Sequence, residues 1–156
     1  MRYNPLDGFV VLPHPDGTEA DGDALLAQLG LIPSNGHAAA SIDLFGSTLE
    51  RLIGLDGPPI ALVADFASRL IVRNNTLSPA EHALFTRALV LSQRSMARPA
   101  GPDRVPRFNC VIWVVEKEGD LPDWFTIDNP RVRHIPIAGV PLTLPCDGLS
   151  DIGQAN

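Results

Sequence analysis

The stretch Pro59-Ile60-Ala61-Leu62-Val63-Ala64-Asp65-Phe66-Ala67 decides how the rest of the chain is read. Its apolar core is too short for an ordinary helix and follows a Gly57-Pro58 breaker. That pattern suits a strand covered on both faces, as in a parallel sheet. Ligands in open α/β sheets bind outside the carboxyl ends of the strands, so Asp65, at this strand's exit, is the first candidate for a ligand contact. The competing reading makes Asp65 a residue that only turns the chain.

Upstream of this strand, Ser41 is placed to cap a helix whose Ile42, Phe45, Leu49, Leu52 and Ile53 share one face. A shorter helix over 23–29 ends at Gly30, and Pro33-Ser34-Asn35-Gly36 forms a loop. At the start, Tyr3 to Gly8 reads as a turn and Phe9 to Leu12 as a short strand, with a Pro/Gly loop over 14–22. Met1 lies abruptly close to structure, which raises the expectation of residues upstream.

Downstream, 68–75 reads as a loop with a turn of helix. Ser78-Pro79-Ala80-Glu81 is a capping box with proline at the first helical position, opening a helix to about Arg98 with Leu84, Phe85, Ala88, Leu89 and Leu91 inward. Pro99 to Pro106 reads as a linker. Phe108 to Val115 is a second continuous apolar strand, with Cys110 in the core, and Glu116-Lys117-Glu118-Gly119-Asp120 puts charge at its end. A short helix carrying Trp124 and Phe125 follows, then Asp128-Asn129-Pro130 and a final strand over 132–137. A flexible tail is expected over 141–156.

With 156 residues, 45% of them hydrophobic, the chain suits one domain with a real core. A net charge of −6 argues against nucleic acid as a partner. Two cysteines, Cys110 and Cys146, make neither a disulfide framework nor a metal spacing, which points to the reducing cytoplasm. No run approaches the roughly 18 apolar residues that span a membrane. The four histidines, His14, His37, His82 and His134, show no zinc spacing, and no Gly-x-Ser-x-Gly elbow supports serine hydrolase chemistry.

The order of elements is an apolar strand ending in Asp65, a capped helix, an apolar strand ending in a polar group, a short helix, and arginines before a last strand. It resembles the second half of the nucleotide-binding core of AAA+ ATPases, and the degenerate AAA+ modules of larger bacterial ATPases, over residues 3–140. The resemblance implies an α/β fold with a largely parallel sheet flanked by helices, a partial P-loop NTPase core. On it, Pro59–Ala67 is similar to Walker B, with Asp65 toward magnesium and nucleotide. The strand ending at Glu116 is similar to sensor 1, and Arg131 or Arg133, in Asn129-Pro130-Arg131-Val132-Arg133, to the arginine finger. The implied cofactors are ATP and magnesium, and the implied partners are other subunits or domains of an ATPase assembly.

The departures shape the functional expectation. The sequence holds no Gly-x-x-x-x-Gly-Lys-Ser/Thr, and Lys117 is the one lysine among its twelve basic residues, so none of them serves as a P-loop lysine. Phe66 stands where active members carry the glutamate that polarises water. Glu116 is then the remaining candidate for a catalytic carboxylate. Three readings follow: an AAA+ module unable to hydrolyse ATP alone, a non-catalytic assembly module on the same frame, and an enzyme using Asp65 and Glu116 as a metal-binding carboxylate pair.

Overall fold

The computed structural model describes residues 1–12, 19–73, 76–100, 103–127 and 129–137. The expected tail over 141–156 and His14 lie outside them. Strand β1 (Arg2–Asn4) turns into β2 (Gly8–Val10), and α1 (Glu19–Gln28) leads to β3 (His37–Ala38). Then come α2 (Ile42–Gly54), β4 (Ala61–Ala64), a 3-10 turn (Ala67–Arg69) and α3 (Pro79–Arg94). Strands β5 (Arg98–Ala100) and β6 (Val105–Arg107) precede β7 (Cys110–Trp113) and α4 (Asp123–Thr126).

The sheet runs β3-β2-β1-β4-β7. One half of it is parallel: β1 lies beside β4 with Tyr3 opposite Ala64, and β4 beside β7 with Ala61 to Ala64 opposite Cys110 to Trp113. Strands β2 and β3 extend it antiparallel. The chain thus forms the expected α/β fold.

The turn read over Tyr3 to Gly8 hides a strand, because β1 is only three residues long and its Asn4 does the turning. Asn4 Oδ1 accepts the N–H groups of Leu6 (2.9 Å) and Asp7 (2.7 Å), and Asn4 Nδ2 donates to Asp7 Oδ2 (2.8 Å). Gly8 closes the hairpin at φ +79°, where a Cβ would stand 2.1 Å from the Ala38 carbonyl oxygen, so only glycine lets β3 approach.

Both long helices begin where their caps predict. Ser41 Oγ accepts the Leu44 N–H (3.0 Å), and Ser78 and Glu81 exchange the two bonds of a capping box. Helix α3 ends at Arg94, short of Arg98, because the chain from Arg98 turns into β5. The expected linker over 99–106 is therefore largely a two-stranded ribbon, with Pro99 opposite Pro106. Proline has no N–H, so this pair must occupy a position without ladder hydrogen bonds, leaving Arg98↔Arg107 and Ala100↔Val105 to make them.

Asn109 ties three elements together just before β7. Its Nδ2 donates to the carbonyls of Leu52 (2.8 Å) and Leu55 (3.1 Å) at the end of α2, and its Oδ1 accepts the Ile60 N–H (2.9 Å). The core is aromatic: Phe45 stacks with Tyr3 and with Phe9, which tilt against each other, while Trp113 packs on Phe45, Phe85 and Phe125 with centroids 5.4–5.7 Å away.

Two sequence expectations fail on burial. Leu62 and Ala64 are fully buried but Ala61 is exposed, and on β7 Val111 and Trp113 turn inward while Cys110 and Ile112 are exposed. One face of this part of the sheet is covered, while the other is exposed at Ala61, Cys110 and Ile112 and half-buried at Val63, so Cys110 is a surface thiol and not core. A continuous apolar run predicts double burial only when something packs on the second face. The final strand expected over 132–137 is also missing: the chain there pairs with nothing among the described residues, and Ile135 and Ile137 are 82% and 89% exposed.

Candidate functional site at the carboxyl rim

The parallel strands β1, β4 and β7 open onto one rim. Asp65 leaves β4 still bonded into the sheet, its N–H donating to the Tyr3 carbonyl (2.8 Å). Phe66 then takes a left-handed conformation (φ +52°), which reverses the chain into the 3-10 turn and leaves its ring 61% exposed. Ala67 N–H donates to the Val114 carbonyl (2.9 Å), locking this turn against β7.

The rim's acids face arginines and hydroxyls. Asp65 Oδ2 lies 3.5 Å from Arg2 Nε, in a half-exposed ion pair. Arg2 Nε is buried and finds no hydrogen bond, so that pairing is electrostatic rather than a directed bond. Glu116 Oε1 lies 2.7 Å from Arg69 Nη2, on the surface. Asp65 and Glu116 thus engage different arginines.

The rim's most constrained acid is Asp120, at the end of the charged run Glu116-Lys117-Glu118-Gly119-Asp120. Its buried Oδ2 accepts the Ser68 hydroxyl (2.8 Å) and the N–H groups of Lys117 (3.0 Å) and Glu116 (3.2 Å). Burial pushes its pKa up, but the bonds from Ser68, Lys117 and Glu116, with the Lys117 charge, outweigh burial and hold it below the usual value. Glu81 is lowered in the same way: burial is outweighed by the Ser78 backbone and hydroxyl and the Val72 N–H. The one hint in the sequence was Gly119, at φ +85°, which lets the Glu116–Asp120 loop curl over its own carboxylate.

The arginines lie elsewhere. The Arg131 guanidinium sits 5.7 Å from the centre of the Phe108 ring, before the amino end of β7 and away from the rim. Arg133 Nη1 donates to the carbonyls of Pro130 (3.2 Å) and Val132 (3.3 Å). The Arg131 backbone is held by Asn129, a buried hub. Its Oδ1 accepts from Gln93 Nε2 (3.1 Å) and the Arg131 N–H (3.0 Å), and its Nδ2 donates to Ser92 Oγ and the Phe125 carbonyl (both 3.3 Å). An open groove of about 450 Å3 lies here, lined by Glu118, Thr126, Ile127, Asn129, Pro130, Val132 and His134.

Among the described residues no three His, Cys, Asp or Glu side chains gather as a metal site, and no helix is long and apolar enough to cross a membrane. No curated protein and no solved structure matches the chain. A family model does, over residues 1–138, and its description is "AAA+ chaperone, N-terminal Rossmann-like domain". That span takes in the whole sheet, the rim and the Asn129 hub, and it bears out the expected relationship to AAA+ proteins. The chain belongs to the family of N-terminal Rossmann-like domains of AAA+ chaperones.

Proposed function

We propose that this domain is a non-hydrolysing assembly module of a cytoplasmic AAA+ chaperone, using its α/β frame to hold subunits or domains together. The observation that carries this reading is the state of the rim acids. Asp65 is compensated by Arg2, Glu116 by Arg69, and Asp120 by Ser68 and two backbone N–H groups. Magnesium wants several oxygen ligands free to turn toward it and usually shares them with phosphates. A carboxylate beside a guanidinium, with no P-loop lysine or glycine loop in the sequence to cradle phosphates, does not suit that role.

The carboxylate-pair enzyme is disfavoured on the same ground, since Asp65 and Glu116 each answer a separate arginine. Phe66 gives the rim an apolar tip where hydrolysis would need an acid. The free thiol of Cys110 fits a reducing cytoplasm.

Calorimetric titration of magnesium–ATP into the chain and into Asp65→Ala tests the reading. The expected result is no saturable binding to either up to about millimolar nucleotide. Micromolar binding that disappears in Asp65→Ala would overturn it and restore Asp65 as a nucleotide ligand.

A further inference from the structure

Strand β7 is one edge of the five-stranded sheet. Cys110 N–H donates to the Ile60 carbonyl and Val114 N–H to the Ala64 carbonyl, both at 3.0 Å. The residues between them, Val111 and Trp113, with Val115 beyond, must therefore direct their backbone N–H and C=O groups away from β4. No strand among the described residues pairs there, since β7 ends the sheet.

Natural edges are usually blunted by charge, proline or a bulge. Phe108 to Val115 has no charge and no proline. Phe108, Ile112 and Val114 are 43%, 48% and 42% exposed along it. An edge of this composition offers a template for another strand.

The charges at its two ends favour one partner. Arg131 stands at the amino end, over Phe108, while Glu118 stands beyond the carboxyl end, where Glu116 is already answered by Arg69 and the Lys117 charge acts on Asp120. A two-fold axis that sets two such edges antiparallel brings each positive end beside a negative one. We propose that β7 pairs with β7 of a second copy of this chain, antiparallel and centred on Trp113, joining two five-stranded sheets into one.

That register makes Val111 face Val115 of the second copy, so the outward N–H and C=O groups bond to each other. Ile112 then faces the second copy's Val114 at a position without ladder bonds, burying both exposed side chains. Beyond the strand, the Glu116–Asp120 turn of one copy comes to the amino end of the other, bringing Glu118 toward the arginine that lies over the second copy's Phe108. The proposal rests on the assembly-module reading only for its purpose. A monomer would sink the dimer without touching the nucleotide titration, and magnesium–ATP binding would sink that reading without touching the dimer.

Sedimentation of the full 156-residue chain over a concentration series should show a reversible dimer. Ile112→Lys and Val114→Lys, at sites already exposed in one copy, should weaken it at least about tenfold while circular dichroism stays unchanged. Glu118→Arg should weaken it too, and adding Arg131→Glu should restore it. Register is read by Ile112→Cys with Val114→Cys, in a background where Cys110 and Cys146 are serine. Facing residues at such positions lie about 4.5 Å apart between Cα atoms, which a disulfide spans, so mild oxidation should yield covalent dimers. A wild-type monomer at every concentration, or a dimer indifferent to both lysine substitutions, overturns the proposal.

Discussion

Asp65 and Asp120 lie on the same rim, and they show what a sequence does and does not expose about a single carboxylate. Asp65 was legible because it ends an apolar run, yet its half-exposed pairing with Arg2, 3.5 Å away and without a directed hydrogen bond, holds it loosely. Asp120 looked like part of a solvated turn, yet it is buried and takes three hydrogen bonds. One of its donors, Ser68, lies 52 residues away, and no local pattern announces a contact at that distance. Asp120→Asn should cost about 1–3 kcal/mol in chemical denaturation, since bonds to a charged acceptor are the stronger kind. It should also change the pH profile. Because folding lowers the pKa of Asp120 and of Glu81, their contribution is full above the ordinary carboxylate range and is lost as pH falls through it toward the folded values. Wild-type stability should drop below about pH 4, and Asp120→Asn and Glu81→Gln should each flatten that slope. An unchanged slope in both would show that these bonds are not formed in solution.

Legibility improves at the scale of elements wherever the signal is local. The capping residues Ser41 and Ser78 set the starts of α2 and α3, because a hydroxyl three residues before an N–H is a short-range fact. The strands were harder. Strand β1 is three residues long, and β5 and β6 carry prolines that read as breakers until they are seen opposite each other. Asn109 belongs with these missed features: in sequence it only precedes an apolar run, but in the fold it closes the end of α2 and fixes where β4 begins. Asn109→Ala should destabilise the domain by about 2–3 kcal/mol, from three bonds of about 1 kcal/mol each. Asn109→Asp, which keeps the acceptor for Ile60 but loses both donors, should be no more stable than the alanine variant. Thermal denaturation of the two variants beside wild type measures both effects.

Across the whole molecule, the class of fold followed from two apolar runs separated by a capped helix, while the position of those runs in the sheet did not. Strand β4 is central and β7 is at the edge, yet both read as buried strands, because an apolar sequence cannot say whether its outer face is covered by this chain or by another surface. Amide hydrogen exchange separates the two cases residue by residue. Cys110, Ile112 and Val114 bond inward to β4, so their amides should exchange slowly whatever the protein concentration. Val111, Trp113 and Val115 face outward, so in dilute solution their amides should exchange far faster, giving alternation along one strand. If two copies join through this edge, raising the concentration should slow the outward amides alone and erase the alternation, while the amides of β4 stay as they were. Outward amides that are protected at every dilution would mean that the edge is already covered within one copy, and uniformly fast exchange along β7 would mean that its pairing with β4 is not stable. The alternation therefore reports on the place of β7 in the sheet, and its dependence on concentration on what lies beyond.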